Sequence, residues 1–228
     1  MVLLVVAGLV LGSIMLFKPA QSVRSSKSES RVSYQTPSPI QDPTPATISG
    51  SKALCTLTTV QGPDINGVRL GLSNQQVLDL FPGSREDAEV SASAEKSTTL
   101  GVSNFALSPE KYGAGKNFVG INRFTFNFLD KRLTSFTVGY SGPQWKSVDE
   151  FVKKFSEGKT LPPVEAWEAY VGLDTQLKTL KCDGFEISVF AGGEGGNLNY
   201  VQMKDLAAEK ELRERRAKAR KAAEKPTP

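Results

Sequence analysis

The chain has 228 residues, with 28 Lys and Arg against 24 Asp and Glu, a net charge of +4 at pH 7. That length holds one domain of ordinary size with tails, and so mild a positive excess gives no case for a nucleic-acid-binding domain. There is no histidine, which excludes Ser-His-Asp and Cys-His catalysis and the usual zinc sites.

Residues 1–17, MVLLVVAGLVLGSIMLF, carry no charged side chain. A spanning helix needs about 17–20 apolar residues, and Lys18 can snorkel to extend the run. We read 1–20 as a transmembrane anchor, with a cleaved signal as the alternative. The signal reading lacks basic residues ahead of the run, and Lys18-Pro19-Ala20 is a poor cleavage site. Lys18, Arg24, Lys27 and Arg31 follow the run, and the positive-inside bias would keep that side cytoplasmic. The cysteines argue for the exported, periplasmic or extracytoplasmic orientation. Residues 21–51 are rich in Ser, Thr and Pro without apolar periodicity, so they read as a disordered linker. The globular domain is expected over 52–205 and a charged tail over 206–228.

Cys55 and Cys182 are the two cysteines of the chain and lie at opposite ends of the predicted domain. In an exported chain such a pair reads as a disulfide. Closing so long a loop is worth about 4–5 kcal/mol in the chain-entropy model. In a cytosolic chain they would be two buried thiols.

Within the domain, Leu54, Thr56, Thr58 and Val60 allow a short strand. A helix follows over 73–81: Ser73 caps it, Gln76 completes a capping box, and Pro82-Gly83 ends it. Val77, Leu78, Leu80 and Phe81 form its apolar face. Residues 85–96 are polar, 98–107 allow a strand, and 108–116 read as a loop. Phe124, Phe126 and Phe128 share a parity with Phe136, Val138 and Tyr140. If both sets face one side, the connecting loop is odd, which predicts the three residues Asp130-Lys131-Arg132. It also sets Phe126 opposite Phe136 and Phe124 opposite Val138.

Ser147 opens a second helix with Asp149 and Glu150 in its first turn and Val148, Phe151, Val152 and Phe155 as its stripe. Gly158 stops it. Residues 164–170 suggest a further helical turn or two. Residues 177–182 and 185–190 form a hairpin about Asp183-Gly184, and a last strand begins at Leu198. Helix then strands, twice, predicts a tandem duplication near 67–141 and 142–205. The fold class is α+β, with each short helix laid on an antiparallel meander.

Leu70-Gly71-Leu72-Ser73-x-x-Gln76-Val77-x-x-Leu80-Phe81-Pro82-Gly83 resembles the helix signature of SmpA/OmlA-type envelope lipoproteins and the related β-lactamase-inhibitor-like (BLIP-like) domains. Their pattern is Gly-Met-Ser/Thr-x-x-Glu/Gln-Val-x-x-Leu/Phe-Gly. The resemblance implies a small helix-on-sheet module that binds other envelope proteins. This chain lacks a lipidation cysteine and carries an insertion over 84–117.

No catalytic, metal-binding or cofactor-binding residues emerge. Ser108-Pro109-Glu110-Lys111 has the Ser-x-x-Lys spacing of penicillin-recognising enzymes but lacks their partner motifs, so it reads as a turn. Gly192-Gly193-Glu194-Gly195-Gly196-Asn197 lacks the Lys-Ser/Thr of a phosphate loop. Tyr140, Trp145, Trp167 and Tyr170 are core residues on one reading and partner-binding aromatics on the other. Arg213, Arg215, Arg216, Lys218, Arg220 and Lys221 give the tail a basic cluster. It is either a solvated helix or an arm for anionic lipid, polymer or nucleic acid. Two functions result. The first is a membrane-tethered, non-enzymatic envelope module that binds an unknown protein partner. The second is a cytoplasm-facing anchored protein acting through its basic tail. No small-molecule substrate is evident.

Overall fold

Alternating phenylalanines build the centre of the fold. The structure, a computed structural model, describes residues 55–142, 145, 147–172, 175–192 and 198–224. The predicted anchor and linker lie outside the described residues, as does the Gly193–Asn197 part of the glycine-rich run. Among the described residues, no helix is long and apolar enough to cross a membrane.

Phe124, Phe126 and Phe128 on β2 (Ile121–Leu129) and Phe136 and Val138 on β3 (Arg132–Tyr140) turn one way and are buried. Phe126 pairs with Phe136 and Phe124 with Val138, as their parity requires. The turn differs from the expected three residues. Asp130 and Lys131 alone form it, both at positive φ (49° and 64°), as a two-residue primed turn demands. A β-bulge supplies the odd residue: Asn127 pairs with Ser135 but Phe128 with Leu133, leaving Thr134 between. The Thr134 hydroxyl donates to the Asn127 carbonyl at 3.2 Å. The bulge also turns Leu133, out of phase with Phe136, into the core, where it is fully buried.

The fold is α+β, with a seven-stranded antiparallel sheet ordered β1-β2-β3-β7-β6-β5-β4. Here β1 is Val102–Leu107, β4 is Glu168–Gly172, β5 is Thr175–Lys181, β6 is Phe185–Gly192 and β7 is Leu198–Asp205. One core row runs Phe126, Phe136, Met203, Ile187 and Leu180 across five strands.

Three helices cover this apolar face. Helix α1 (Asn74–Asp79) has the expected reciprocal cap: the Gln76 amide donates to Ser73 Oγ at 3.1 Å, and the Ser73 amide to Gln76 Oε1 at 2.8 Å. Just beyond α1, the Phe81 ring lies 5.5 Å from Phe124 and 6.0 Å from Phe126. Helix α2 (Ala88–Glu95) forms in the polar stretch where none was expected. The Asp87 carboxylate caps it by accepting the Glu89 and Val90 amides, and it packs inward through its two buried residues, Val90 and Ala94. Helix α3 (Val148–Ser156) is capped by Ser147 and lays Phe151, Val152 and Phe155 into the core over β5 and β6.

Two expected elements differ. Among the described residues of the first predicted strand, Cys55 alone makes a β-bridge, to Cys182. The chain then coils into a 3-10 turn at Thr59–Gln61, because the Gln61 side chain caps Thr58. The predicted helix near 164–170 is one 3-10 turn, Val164–Ala166, followed by β4, in which Tyr170 pairs with Leu177. The charged tail is helix α4, Leu206–Ala223, capped by the Asp205 carboxylate at the Ala208 amide.

Candidate functional site

Strand alternation sends every second residue to the face opposite α1–α3. The register then aligns those residues in rows. One row is Tyr170, Leu177, Phe190 and Tyr200. The next is Thr179, Ser188, Gln202 and Thr137. A third is Lys181, Glu186, Lys204, Ser135 and Asn127. The Tyr200 ring stacks on Phe190 with centroids 5.1 Å apart, while Tyr170 is 63% exposed.

The polar rows are cross-linked within themselves. The Thr179 and Ser188 hydroxyls lie 3.3 Å apart, and Gln202 Nε2 donates to Thr137 Oγ1 at 3.2 Å. Lys204 stands 3.6 Å from Glu186, and Asn127 Nδ2 donates to Ser135 Oγ at 3.0 Å. Such bonds hold the side chains in fixed positions; on the aromatic row Phe190 is only 8% exposed, so Tyr170 and the half-buried Tyr200 are the aromatic groups the face presents. Helix α4 skirts one end of it, leaving a cleft between Asn127, Ser135 and Lys204 on the strands and Ala208, Leu212 and Arg216 on the helix.

The four aromatic candidates separate. Tyr140, Trp145 and Trp167 do not reach the open face. Tyr140 meets Phe151 edge-on at 5.2 Å, and Trp145 stacks on the same ring at 4.9 Å. Burial pushes the Tyr140 phenol up to about 12. Trp167 is 3% exposed, and its Nε1 donates to the Pro162 carbonyl at 3.2 Å. Tyr140 and Trp145 thus pack against α3 and Trp167 is buried in the core; of the four, Tyr170 alone is on the open side. Phe190 and Tyr200, its neighbours there, were missed. Their opposite parity to Ile187 and Val189, and to Val201 and Met203, was the available signal.

Cys55 and Cys182 form a disulfide. Of the basic cluster, Arg213, Arg216, Lys218, Arg220 and Lys221 are exposed, but Arg215 is not a free cation. Its Nη1 donates to the Leu100 carbonyl at 2.9 Å and to Asp130 Oδ1 at 3.0 Å, and its Nη2 bonds Asp130 Oδ2 and Glu211. The guanidinium holds the Asp130 carboxyl below its usual range. This fork fastens α4 to the β2–β3 turn.

The lysine of the Ser-x-x-Lys spacing is bound to Asp87 and Tyr112. Lys111 Nζ donates to Asp87 Oδ2 at 3.0 Å and to the Tyr112 hydroxyl at 2.8 Å, and that hydroxyl donates to Asp87 at 2.8 Å. The bonds to Tyr112 and Asp87 hold Lys111 more firmly protonated than usual, the reverse of what a base needs. Asp149 pairs with Lys178 at 2.8 Å, so it too has a structural partner. Among the described residues, no group of three metal-ligating side chains occurs.

No protein-family model matches the chain, and no curated protein matches it. Among solved structures, a cysteine-rich secretory protein from Staphylococcus aureus subsp. aureus Mu50 is similar at a TM-score of 0.36 and 7% identity, over 69% of this chain and 48% of that one. The chain spans about half that structure's length, and a likeness so distant assigns neither fold nor function.

Proposed function

We propose that this is a membrane-tethered, non-enzymatic protein of the cell envelope whose sheet binds a polypeptide partner. The observation that carries this reading is the row Tyr170, Leu177, Phe190 and Tyr200 on the face away from α1–α3. An exposed aromatic flanked by ordered hydroxyls suits a binding hot spot with a polar rim. The row crosses four strands and so runs about 14 Å, enough for the centre of a standard interface but not for all of it.

The disulfide supports an oxidising compartment, and the uncharged run at 1–17 supports the anchor. The α1 signature that resembles envelope modules fits the same reading, as does treating 67–141 and 142–205 as duplicated units.

A photo-crosslinking amino acid at Tyr170, compared with one at Val60, tests the binding face in intact cells. Val60 is 87% exposed on the 3-10 turn. The expected result is a discrete protein adduct at 170 and none at 60, lost when Tyr200 is changed to Ala. Adducts absent at 170, or equal at both sites, would refute the proposed face.

A further inference from the structure

We infer that the outer side of α4 docks on an anionic lipid bilayer. Residues 213–221 hold six basic side chains and one acidic one. The rest of the chain carries 22 Lys and Arg against 23 Asp and Glu, so the whole positive excess stands on this stretch. Its arrangement is fixed. Ala208, Leu212 and Arg215 turn toward the strand ends. At about 100° per residue, that leaves Arg213, Arg220 and Lys221 on the opposite side, with Arg216 and Lys218 on the flanks. All five are exposed.

The spacers are Ala217, Ala219, Ala222 and Ala223, which offer no large apolar group for insertion. Contact would therefore be made at the headgroups, by charge. The start of α4, about 10 Å along the helix from Arg213, is near where the chain enters the described body. The chain enters the described body at Cys55, bonded to Cys182. Two residues on, the Gly184 carbonyl accepts the amide of Leu206, the first residue of α4, at 3.2 Å. The proximity of a bilayer rests on the anchor reading. Given that anchor, a second weak contact needs little affinity of its own, because tethering raises the local concentration.

The test uses the full-length chain in vesicles of phosphatidylcholine alone or mixed with phosphatidylglycerol, read by lysine acetylation footprinting and flotation. Lys218 and Lys221 should be protected severalfold only where phosphatidylglycerol is present, with Lys96 and Lys153 unchanged. Protection should fade in high salt. Each basic residue at an anionic surface is worth about fivefold in partition, so R213Q/R216Q/R220Q should weaken the contact about a hundredfold. Arg213 and Arg220 point away from the strand ends and Arg216 is an exposed flank residue beside the cleft, and an unchanged thermal melt would show the fold intact.

Equal labelling in both vesicles would overturn the inference, as would protection that survives the triple substitution. Protection by an oligonucleotide but not by phosphatidylglycerol would do the same. The anchor is scored separately: flotation with phosphatidylcholine alone reports it. A chain that floats only with phosphatidylglycerol, and not after the substitution, would sink the anchor and keep the lipid contact.

Discussion

At Gly184 the chain leaves no room for a side chain. A Cβ there would sit 2.3 Å from the Thr59 backbone nitrogen and 2.9 Å from the Thr58 carbonyl carbon. These are backbone atoms and cannot swing aside. The close approach exists because Gly184 N donates to the Leu57 carbonyl and Gly184 O accepts Thr59 Oγ1. Gly184→Ala should therefore cost about 1–3 kcal/mol; a chemical-denaturation midpoint unchanged from wild type would count against that contact. Asp87 offers a second, pH-dependent case. The Lys111 ammonium first, then the Tyr112 hydroxyl and the Val90 amide, hold its carboxyl well below the ordinary 3.8. A lowered folded-state value means the stabilisation is complete above the unfolded value of about 3.9 and is lost as pH falls below it. Asp87→Asn keeps a capping side chain but removes the charge. The melting-temperature gap between wild type and variant should be open at neutral pH and narrow below about pH 4. A gap independent of pH would show that the charge is not what matters.

At the scale of elements, the β2–β3 turn carries the sharpest expectation. Lys131 sits at φ 64°, where a residue with a Cβ is strained by about 1–2 kcal/mol. Its ion pair with Glu95 is exposed at both ends and contributes little. Lys131→Gly should then stabilise the protein by about 1 kcal/mol, visible as a higher denaturation midpoint; a lower one would mean the ion pair or chain entropy wins. The same turn shows what was legible. Side-chain parity correctly paired Phe126 with Phe136, because burying one face leaves no freedom. It misjudged the loop, because a bulge at Thr134 changes parity as well as an extra loop residue does, and nothing local distinguishes them. The helices at Ser73 and Ser147 were readable from their caps and stripes. Helix α2 was not, because only Val90 and Ala94 face inward. The open-face row was partly readable: Tyr170 was singled out, but Phe190 and Tyr200 meet only through the β6–β7 register. Arg215 was counted with the tail's free cations because two of its partners, Asp130 and Leu100, are distant in sequence.

Across the whole molecule, one covalent link ties the first described residue to Cys182, just past the end of β5. Cys55 and Cys182 are 127 residues apart, and closing such a loop removes about 5 kcal/mol of unfolded-state entropy in the chain model. That figure assumes the reduced protein keeps residue 55 in place until everything unfolds. The structure gives reason to expect otherwise. Apart from the bond itself, the segment from Cys55 to Gln61 is held to the hairpin tip mainly through Gly184, by the Leu57 and Thr59 contacts. The core behind it stands on Phe126, Phe136, Met203 and Ile187, none of which lies in that segment. A reduced chain can thus lose the segment alone, at far less cost than global unfolding. Cys55→Ala with Cys182→Ala should accordingly lower global stability by less than the full 5 kcal/mol. Hydrogen exchange should then show Leu57 to Gly62 opening first, while Phe136 and Ile187 amides stay near wild-type protection. Both cysteines are buried, at 7% and 4% exposure, so a reducing agent should act only through that same local opening. If the β3 and β6 amides lose protection in step with the segment, the link supports the whole sheet and the segment is not a separable strap.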